Sequence, residues 1–211
     1  MKRKIGKLCV ITDTAVQKKY SHVEIARIAI KGGADVIQFR DKSMPTGEMI
    51  ETAKKIKKIC SKAGALFIVN DRVDVALLAD ADGVHLGIED IPVKEARKLL
   101  GKNKIIGGTA HSLREANEAE KNGADYIGFG HIYHTASKIK LTPPVGIEEL
   151  KKAVRNINIP IFAIGGIGLT NIKEIIQTGV NGAAVIGSVA GSSNPTKTVR
   201  ELKRILNVRK N

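Results

Sequence analysis

At 211 residues and 43% apolar content, the chain is long enough for a sizeable core and short for two, so a single domain over residues 1–211 is expected. Its formal charge is +14, but with 3% aromatic residues and no tryptophan it lacks stacking platforms for nucleic acid, and small phosphorylated ligands suit the charge better. No segment reaches the ~18–20 apolar residues of a membrane span or the ~7–15 of a signal-peptide core, so a cytoplasmic protein with no membrane partner and with reduced thiols at Cys9 and Cys60 is expected.

In chain order, KLCVIT at 7–12 reads as a strand ending at Asp13. The segment 21–33 is a helix opened by a Ser21/Glu24 capping box and stopped by Gly32-Gly33. A second strand, DVIQFRDK, occupies 35–42, and the helix at 46–64 closes on Gly64. LFIVN at 66–70, the short helical RVDVALLA and GVHLG at 83–87 form one strand–helix–strand unit. Then come a helix at 92–101, a strand at 104–112, a helix capped by Ser112 and Glu115, and a sixth strand within 125–138. That strand runs into the longest loop, because the adjacent prolines of KLTPP at 140–144 forbid regular structure. GIEELKKAVRNI is the sixth helix, IPIFAIGGIG at 159–168 a strand running into glycines, and LTNIKEIIQTG the next helix. GAAVIGSVAG at 182–191 is the eighth strand, and PTKTVRELKRILNV the closing helix.

Eight β-then-α units in series are what a closed (β/α)₈ TIM barrel requires. An open doubly wound sheet normally shows fewer units and a Gly-rich turn after the first strand, which ITDTA lacks. Gly-Ala-Asp recurs at 33–35 and 123–125, with the variant Asp80-Ala81-Asp82-Gly83, each time just before a strand. Its place is the face opposite any active site, so it serves the fold.

In such a barrel the loops after the strands hold the site. They collect Gln38, Arg40, Asp41, Lys42, Asn70, Asp71, Glu89, Asp90, Thr109, His111, His131, His134, Thr135, Ser137, Lys138, Gly165 and Gly166. A right-handed crossover puts Asp71 and Asp90 at neighbouring strand mouths, and parallel neighbours lie ~4.8 Å apart, so the two carboxylates could share one hard cation. Arg40 and Lys42, on alternate positions, are expected to point the same way and, with Lys138, to neutralise a highly charged anion. Gly165-Gly166 ahead of a helix, with Gly187 one unit later, suits a phosphate cradle, although glycines also serve simply to turn tight loops. Mg²⁺ takes one or two carboxylates plus substrate phosphates, which makes a diphosphate the natural ligand.

At these residues the chain resembles the thiamine phosphate synthase and thiazole tautomerase superfamily over nearly its full length. QFRDK at 38–42, NDRVDVALLADADGVHLGIEDIP at 70–92, GFGHIYHTASK at 128–138 and AIGGI at 163–167 carry the likeness, in order and at strand ends. The synthase likeness implies that Gln38, Phe39, Arg40, Asp41, Lys42, Asn70 and Thr109 bind a hydroxymethylpyrimidine diphosphate, with Asp71 and Asp90 holding Mg²⁺. It implies that Thr135, Ser137, Lys138, Gly166, Ile186 and Gly187 hold a thiazole phosphate and the leaving diphosphate. Arg40, Lys42, Lys138 and Thr109 are then the residues expected to act on the reacting groups.

Thr109 stands where the synthases usually have Ser, and Gly187 where they commonly have Ser. His131 replaces their usual Pro and resembles a catalytic His of the tautomerase branch, toward which the loop at 130–146 also leans. Two alternatives to a Mg²⁺-dependent transferase therefore stay open: a metal-independent isomerase of a thiazole carboxylate phosphate using His131, and a basic phosphate- or nucleic-acid-binding barrel without catalysis. Against the isomerase stands the intact Arg40, Lys42, Asn70, Asp71 and Asp90 set, since proton transfer between ring carbons uses neither metal nor diphosphate cage. Oligomeric state is not legible in the sequence.

Overall fold

Alternation of side chains across each strand makes two cores, one inside a ring of strands and one between that ring and the helices. The computed structural model describes residues 4–16, 18–135 and 143–208. Its strands are β1 (Leu8–Thr12), β2 (Val36–Phe39), β3 (Leu66–Asn70), β4 (Gly83–Leu86), β5 (Ile105–Ala110), β6 (Tyr126–Gly130), β7 (Ile161–Ile164) and β8 (Gly182–Val185). Each pairs in parallel with the next, and β8 returns to β1 with Val185 opposite Val10, closing the barrel. Cys9, Ile11, Val36, Leu66, Ile68, Ile105, Tyr126 and Phe162 fill the inside. Their sequence neighbours Val10, Ile37, Phe67, Ile106 and Ile127 pack outward, under the helices.

The helices are α1 (His22–Gly32), α2 (Thr46–Ala63), α3 (Val73–Leu78), α4 (Val93–Leu100), α5 (Leu113–Lys121), α6 (Gly146–Asn156), α7 (Ile172–Gln177), α8 (Gly187–Ala190) and α9 (Pro195–Leu206). The expected capping box opens α1: Glu24 N–H donates to Ser21 Oγ at 3.3 Å and Ser21 N–H donates to the Glu24 carboxylate at 2.7 Å. Gly33 ends that helix at φ 93°, a left-handed conformation suited to a residue without Cβ. None of the helices among the described residues is long and apolar enough to cross a membrane.

The Gly-Ala-Asp repeat serves the barrel floor. Asp35, Asp82 and Asp125 each immediately precede an even-numbered strand and accept a backbone N–H from the preceding odd one: Leu8 at 2.9 Å, Phe67 at 2.8 Å and Ile106 at 2.8 Å. Asn181, ahead of β8, does the same for Ile161 at 2.8 Å, a fourth instance the sequence pattern concealed. Each aspartate also binds one cation, Lys203, Lys57 and Arg97 respectively. Strands are thereby tied in pairs at the floor, leaving the opposite ends to the loops.

Two expected elements differ. The second strand ends at Phe39, so Arg40, Asp41 and Lys42 lie in a loop where strict alternation no longer applies. The eighth strand ends at Val185, and residues 187–190 form the single turn of α8; an apolar run broken only by glycine and serine carries no period to separate the two.

Candidate active site

Arg40 and Lys42, expected side by side, reach opposite ways around the rim. The Arg40 guanidinium pairs with Asp13, at the end of β1, and both are largely buried. Asp13 also accepts the Ala15 N–H at 3.0 Å. Arg40 Nε is buried without a hydrogen-bond partner among the described residues, a donor available to a ligand. Lys42 runs the other way, to Asp71 beyond β3, and is more than half exposed. A cation thus stands on each side of the β2 mouth.

Phe39 and Asp41 face away from it. Phe39 is buried in the outer core and meets the His22 ring edge-on at 4.8 Å, leaving only its backbone toward the barrel mouth. Asp41 accepts from His22 Nε2 at 2.9 Å, from Thr14 Oγ at 3.2 Å and from the N–H groups of Ser43 and Met44 at 2.8 Å each. Burial opposes its charge, but the donors from Ser43, His22 and Met44 outweigh that and hold the carboxyl well below the usual carboxylate range. Asp41 therefore builds the β2–α2 turn that carries its two basic neighbours, with His22 anchored through Nδ1 on Thr12 at 2.8 Å.

The pair of acids meets as the topology requires. Asp71 adopts φ 63°, held by its N–H donating to the His85 carbonyl at 2.7 Å. Asp90 accepts the Gly87 N–H at 2.6 Å and lies close enough to the Asp71 carboxylate to feel its charge. Burial and then the Asp71 carboxylate raise the Asp90 pKa, only partly offset by the Gly87 N–H and Lys42. Two hard oxygen donors converge with too little positive charge around them, which fits a divalent cation. Among the described residues no cluster of three or more His, Cys, Asp or Glu side chains could hold a metal alone. The pair therefore fits Mg²⁺, whose remaining positions are filled by water and phosphate oxygens.

Beside these, Asn70 ends β3 and Thr109 lies near the end of β5, its hydroxyl 3.0 Å from His85 Nε2. Gln38 is buried on the inner face of β2. Glu89 and His134 are exposed on the rim, and His111 donates to the Gly130 carbonyl. His131 is 5% exposed, with its Cβ where a Gly165 side chain would have to lie and its carbonyl accepting Val145 N–H at 2.9 Å. It is built into the wall beneath the loop.

Across the mouth, Gly165 and Gly166 take φ 99° and 67°. A Cβ on Gly166 would sit 2.5 Å from the His134 carbonyl oxygen, so only glycine lets this turn close under the preceding loop. Asn171 fixes the turn by accepting Gly168 N–H and donating to the Gly166 carbonyl, both at 2.9 Å. Ile186 and Gly187 open α8 directly after β8, and the neighbouring Ser188 Oγ is buried without a hydrogen-bond partner among the described residues. Thr135 is half-buried at the near end of the β6 loop; Ser137 and Lys138 lie outside the described residues.

Asp13, His22, His85, Asn171 and Ser188 were not singled out from sequence; Asp13 left a trace as the acid directly ending a strand, and His85 as part of the stretch at 70–92 that carries the resemblance.

The family model for thiamine monophosphate synthase matches residues 8–189. A thiamine-phosphate synthase of Chlorobium phaeobacteroides is 47% identical over 199 residues, 94% of this chain and 95% of that one. Another, from Pyrococcus furiosus, is 46% identical over 200 residues, 95% of this chain and 94% of that one. The solved structure of thiamine phosphate pyrophosphorylase from Pyrococcus furiosus matches at a TM-score of 0.87 and 46% identity, covering 95% of both chains. By sequence and by fold, the chain belongs to the thiamine monophosphate synthase family.

Proposed function

We propose that the protein is a Mg²⁺-dependent transferase that joins hydroxymethylpyrimidine diphosphate to thiazole phosphate, yielding thiamine phosphate and free diphosphate. The observation that carries this reading is the meeting of Asp71 and Asp90 between Lys42 and the mouth of β4. Bound there by these two carboxylates, Mg²⁺ would supply charge neutralisation for the diphosphate.

The residues of the chain then divide the work. Arg40, with its unpartnered Nε, and Lys42 flank the diphosphate and stabilise the negative charge that grows as the methylene C–O bond breaks. The bonding electron pair leaves with the diphosphate. The thiazole nitrogen closes on the methylene carbon with its own lone pair, so no side chain has to move a proton. Asp13 and Asp41 hold Arg40 and the β2–α2 turn in register, removing a reorganisation cost from that step. Gly165, Gly166 and the α8 turn offer backbone N–H groups to the thiazole phosphate, and Thr135, Ser137 and Lys138 are assigned to the same anion. Small phosphorylated molecules are the partners this arrangement serves.

The test is an assay with both substrates, with and without EDTA, reading thiamine phosphate and released diphosphate. Product should form only with free Mg²⁺ and return when Mg²⁺ exceeds the chelator. Full turnover in EDTA would remove the metal from the proposal, and no product under any condition would remove the transferase.

A further inference from the structure

The loop after β6 is pinned at its root to the neighbouring unit of the barrel. Ile132 N–H donates to the Ile164 carbonyl at 2.9 Å and Tyr133 N–H to the Gly165 carbonyl at 3.1 Å, while Val145 N–H returns to the His131 carbonyl at 2.9 Å. The root therefore runs along the end of β7 and over the glycine turn that follows it. A Cβ on Gly166 would sit 2.8 Å from Tyr133 Cβ, so the missing side chain there is what lets the loop cross. Beyond the crossing, the Tyr133 ring packs against the outer core and its hydroxyl donates to the Glu174 carboxylate at 2.6 Å. That length is the one expected of a hydroxyl on an ionised acceptor. Burial, then Glu174 itself, push the Tyr133 pKa well up, so the phenol keeps the proton it donates.

Glu174 lies in the first turn of α7, three positions after the N-cap Asn171. Side chains at that spacing share a helix face, and a glutamate there ordinarily reaches back to the N-cap N–H. Here the Asn171 N–H is donated to the Gly168 carbonyl at 3.3 Å, and the Glu174 carboxylate turns outward to Tyr133. The Asn171 side chain accepts Gly168 N–H and donates to the Gly166 carbonyl, both at 2.9 Å. One turn of α7 thus grips the glycine turn with one side chain and the neighbouring loop with another.

We propose that Tyr133 and Glu174 are positioning residues for the thiazole phosphate subsite: their hydrogen bond seats the root of the β6–α6 loop on the Gly165–Gly168 turn, so that Thr135, two residues further on, and the backbone of the turn meet on one phosphate. The assignment of the turn and of Thr135 to that phosphate rests on the synthase reading. The pair acts through the loop, by fixing the spacing between two halves of one anion site that come from different barrel units. On charge alone, an exposed carboxylate close to an anion site would weaken binding of the anion. The latch gives Glu174 the opposite effect, and the two accounts differ in sign.

The direct test is amide hydrogen exchange, read by NMR on the ¹⁵N-labelled full-length protein without ligands. Tyr133→Phe and Glu174→Ala should each speed exchange of the amides at 132, 133 and 145 about three- to tenfold and leave the barrel strands unchanged. Wild-type exchange at those amides in both variants overturns the proposal. Kinetics form the second arm, because Tyr133→Phe keeps the ring and its packing. Both variants should raise KM for the thiazole phosphate about three- to tenfold and leave KM for the pyrimidine diphosphate unchanged. Glu174→Gln, which keeps a carbonyl acceptor, should recover most of the loss seen in Glu174→Ala. Tyr133→Phe combined with Glu174→Ala should be no worse than the more damaging single change. A lowered KM in Glu174→Ala, equal changes in both KM values, or additive losses count against the latch. Absence of thiamine phosphate from the wild type would sink the synthase reading alone, since the exchange is read without turnover.

Discussion

Replacing Arg40 by Met keeps the aliphatic stem and removes the charge, which strands Asp13. That carboxylate is 2% exposed, and its remaining partner among the described contacts is the Ala15 N–H at 3.0 Å. Breaking a buried ion pair from one side costs about 3–5 kcal/mol, because the surviving charge stays desolvated. In a domain of about 150–250 residues each kcal/mol moves Tm by about 2–4 °C, so a fall of about 6–20 °C is expected. Turnover should fall by a factor of about 10²–10³, the usual effect of removing one donor aimed at developing negative charge. The discriminating variant is Arg40→Met with Asp13→Leu, which replaces the pair by apolar groups. It should recover most of the lost Tm, since such swaps are often neutral, while turnover stays low. Thermal melts by circular dichroism and diphosphate release read the two quantities separately. A double variant no more stable than Arg40→Met, or one with restored turnover, would refute the assignment of stability to the pair and of catalysis to the guanidinium.

Three further perturbations separate scaffold from site. Asp41 has a depressed folded-state pKa, so its stabilisation is present above the unfolded value of ~3.9 and is lost as pH falls through the folded one. Asp41→Asn should therefore lower stability at pH 7 by about 1.5–3 kcal/mol, with the gap to wild type narrowing below about pH 4; a gap equal at pH 3 and pH 7 would contradict this. Asp90 has a raised pKa, so its charge at neutral pH destabilises the metal-free protein. Asp90→Asn should melt higher than wild type in EDTA, lose the Mg²⁺-induced rise in Tm and lose turnover; a retained Mg²⁺ response would exclude Asp90 as a ligand. Gly166→Ala and Gly64→Ala impose similar positive φ, 67° and 71°, but nothing lies within 4 Å of a Cβ on Gly64. Both should lose about 1 kcal/mol to backbone strain, and Gly166→Ala alone should raise KM for the thiazole phosphate. Equal kinetics in the two would place that phosphate elsewhere.

The barrel was legible because its information is local: eight alternations of strand and helix, capping boxes and glycine stops each lie within a few residues. The acid pair was legible for a related reason, since one crossover between adjacent strands fixes which mouths are neighbours. The partners of Arg40 and Thr109 were not. Asp13 lies 27 residues before Arg40 and His85 24 before Thr109, and which inward side chains meet depends on barrel closure, which no periodicity records. GVHL reads as an apolar strand whichever way His85 faces, and His22 reads as one more residue of an amphipathic helix. Alternation misplaced Lys42 relative to Arg40 because the rule was carried past the end of β2 at Phe39.

The same side chain does different work at the two ends of these strands, and the balance of charge around it shows why. At the floor, Asp35, Asp82 and Asp125 each meet a strand N–H and a lysine or arginine of their own, so each negative charge is matched where it stands. At the mouth, Asp71 and Asp90 share the half-exposed Lys42, while the guanidinium of Arg40 is committed to Asp13 and that of Arg72 to Asp74. On the proposed reading, a divalent cation would add more positive charge than these two acids and Lys42 leave unmatched, and the surplus would serve the diphosphate that Lys42 and Arg40 Nε are assigned to bind. In a chain of net charge +14 a local shortage of positive charge around two converging acids is not a matter of supply. On the proposed reading, it is where Mg²⁺ would supply the charge that the side chains do not.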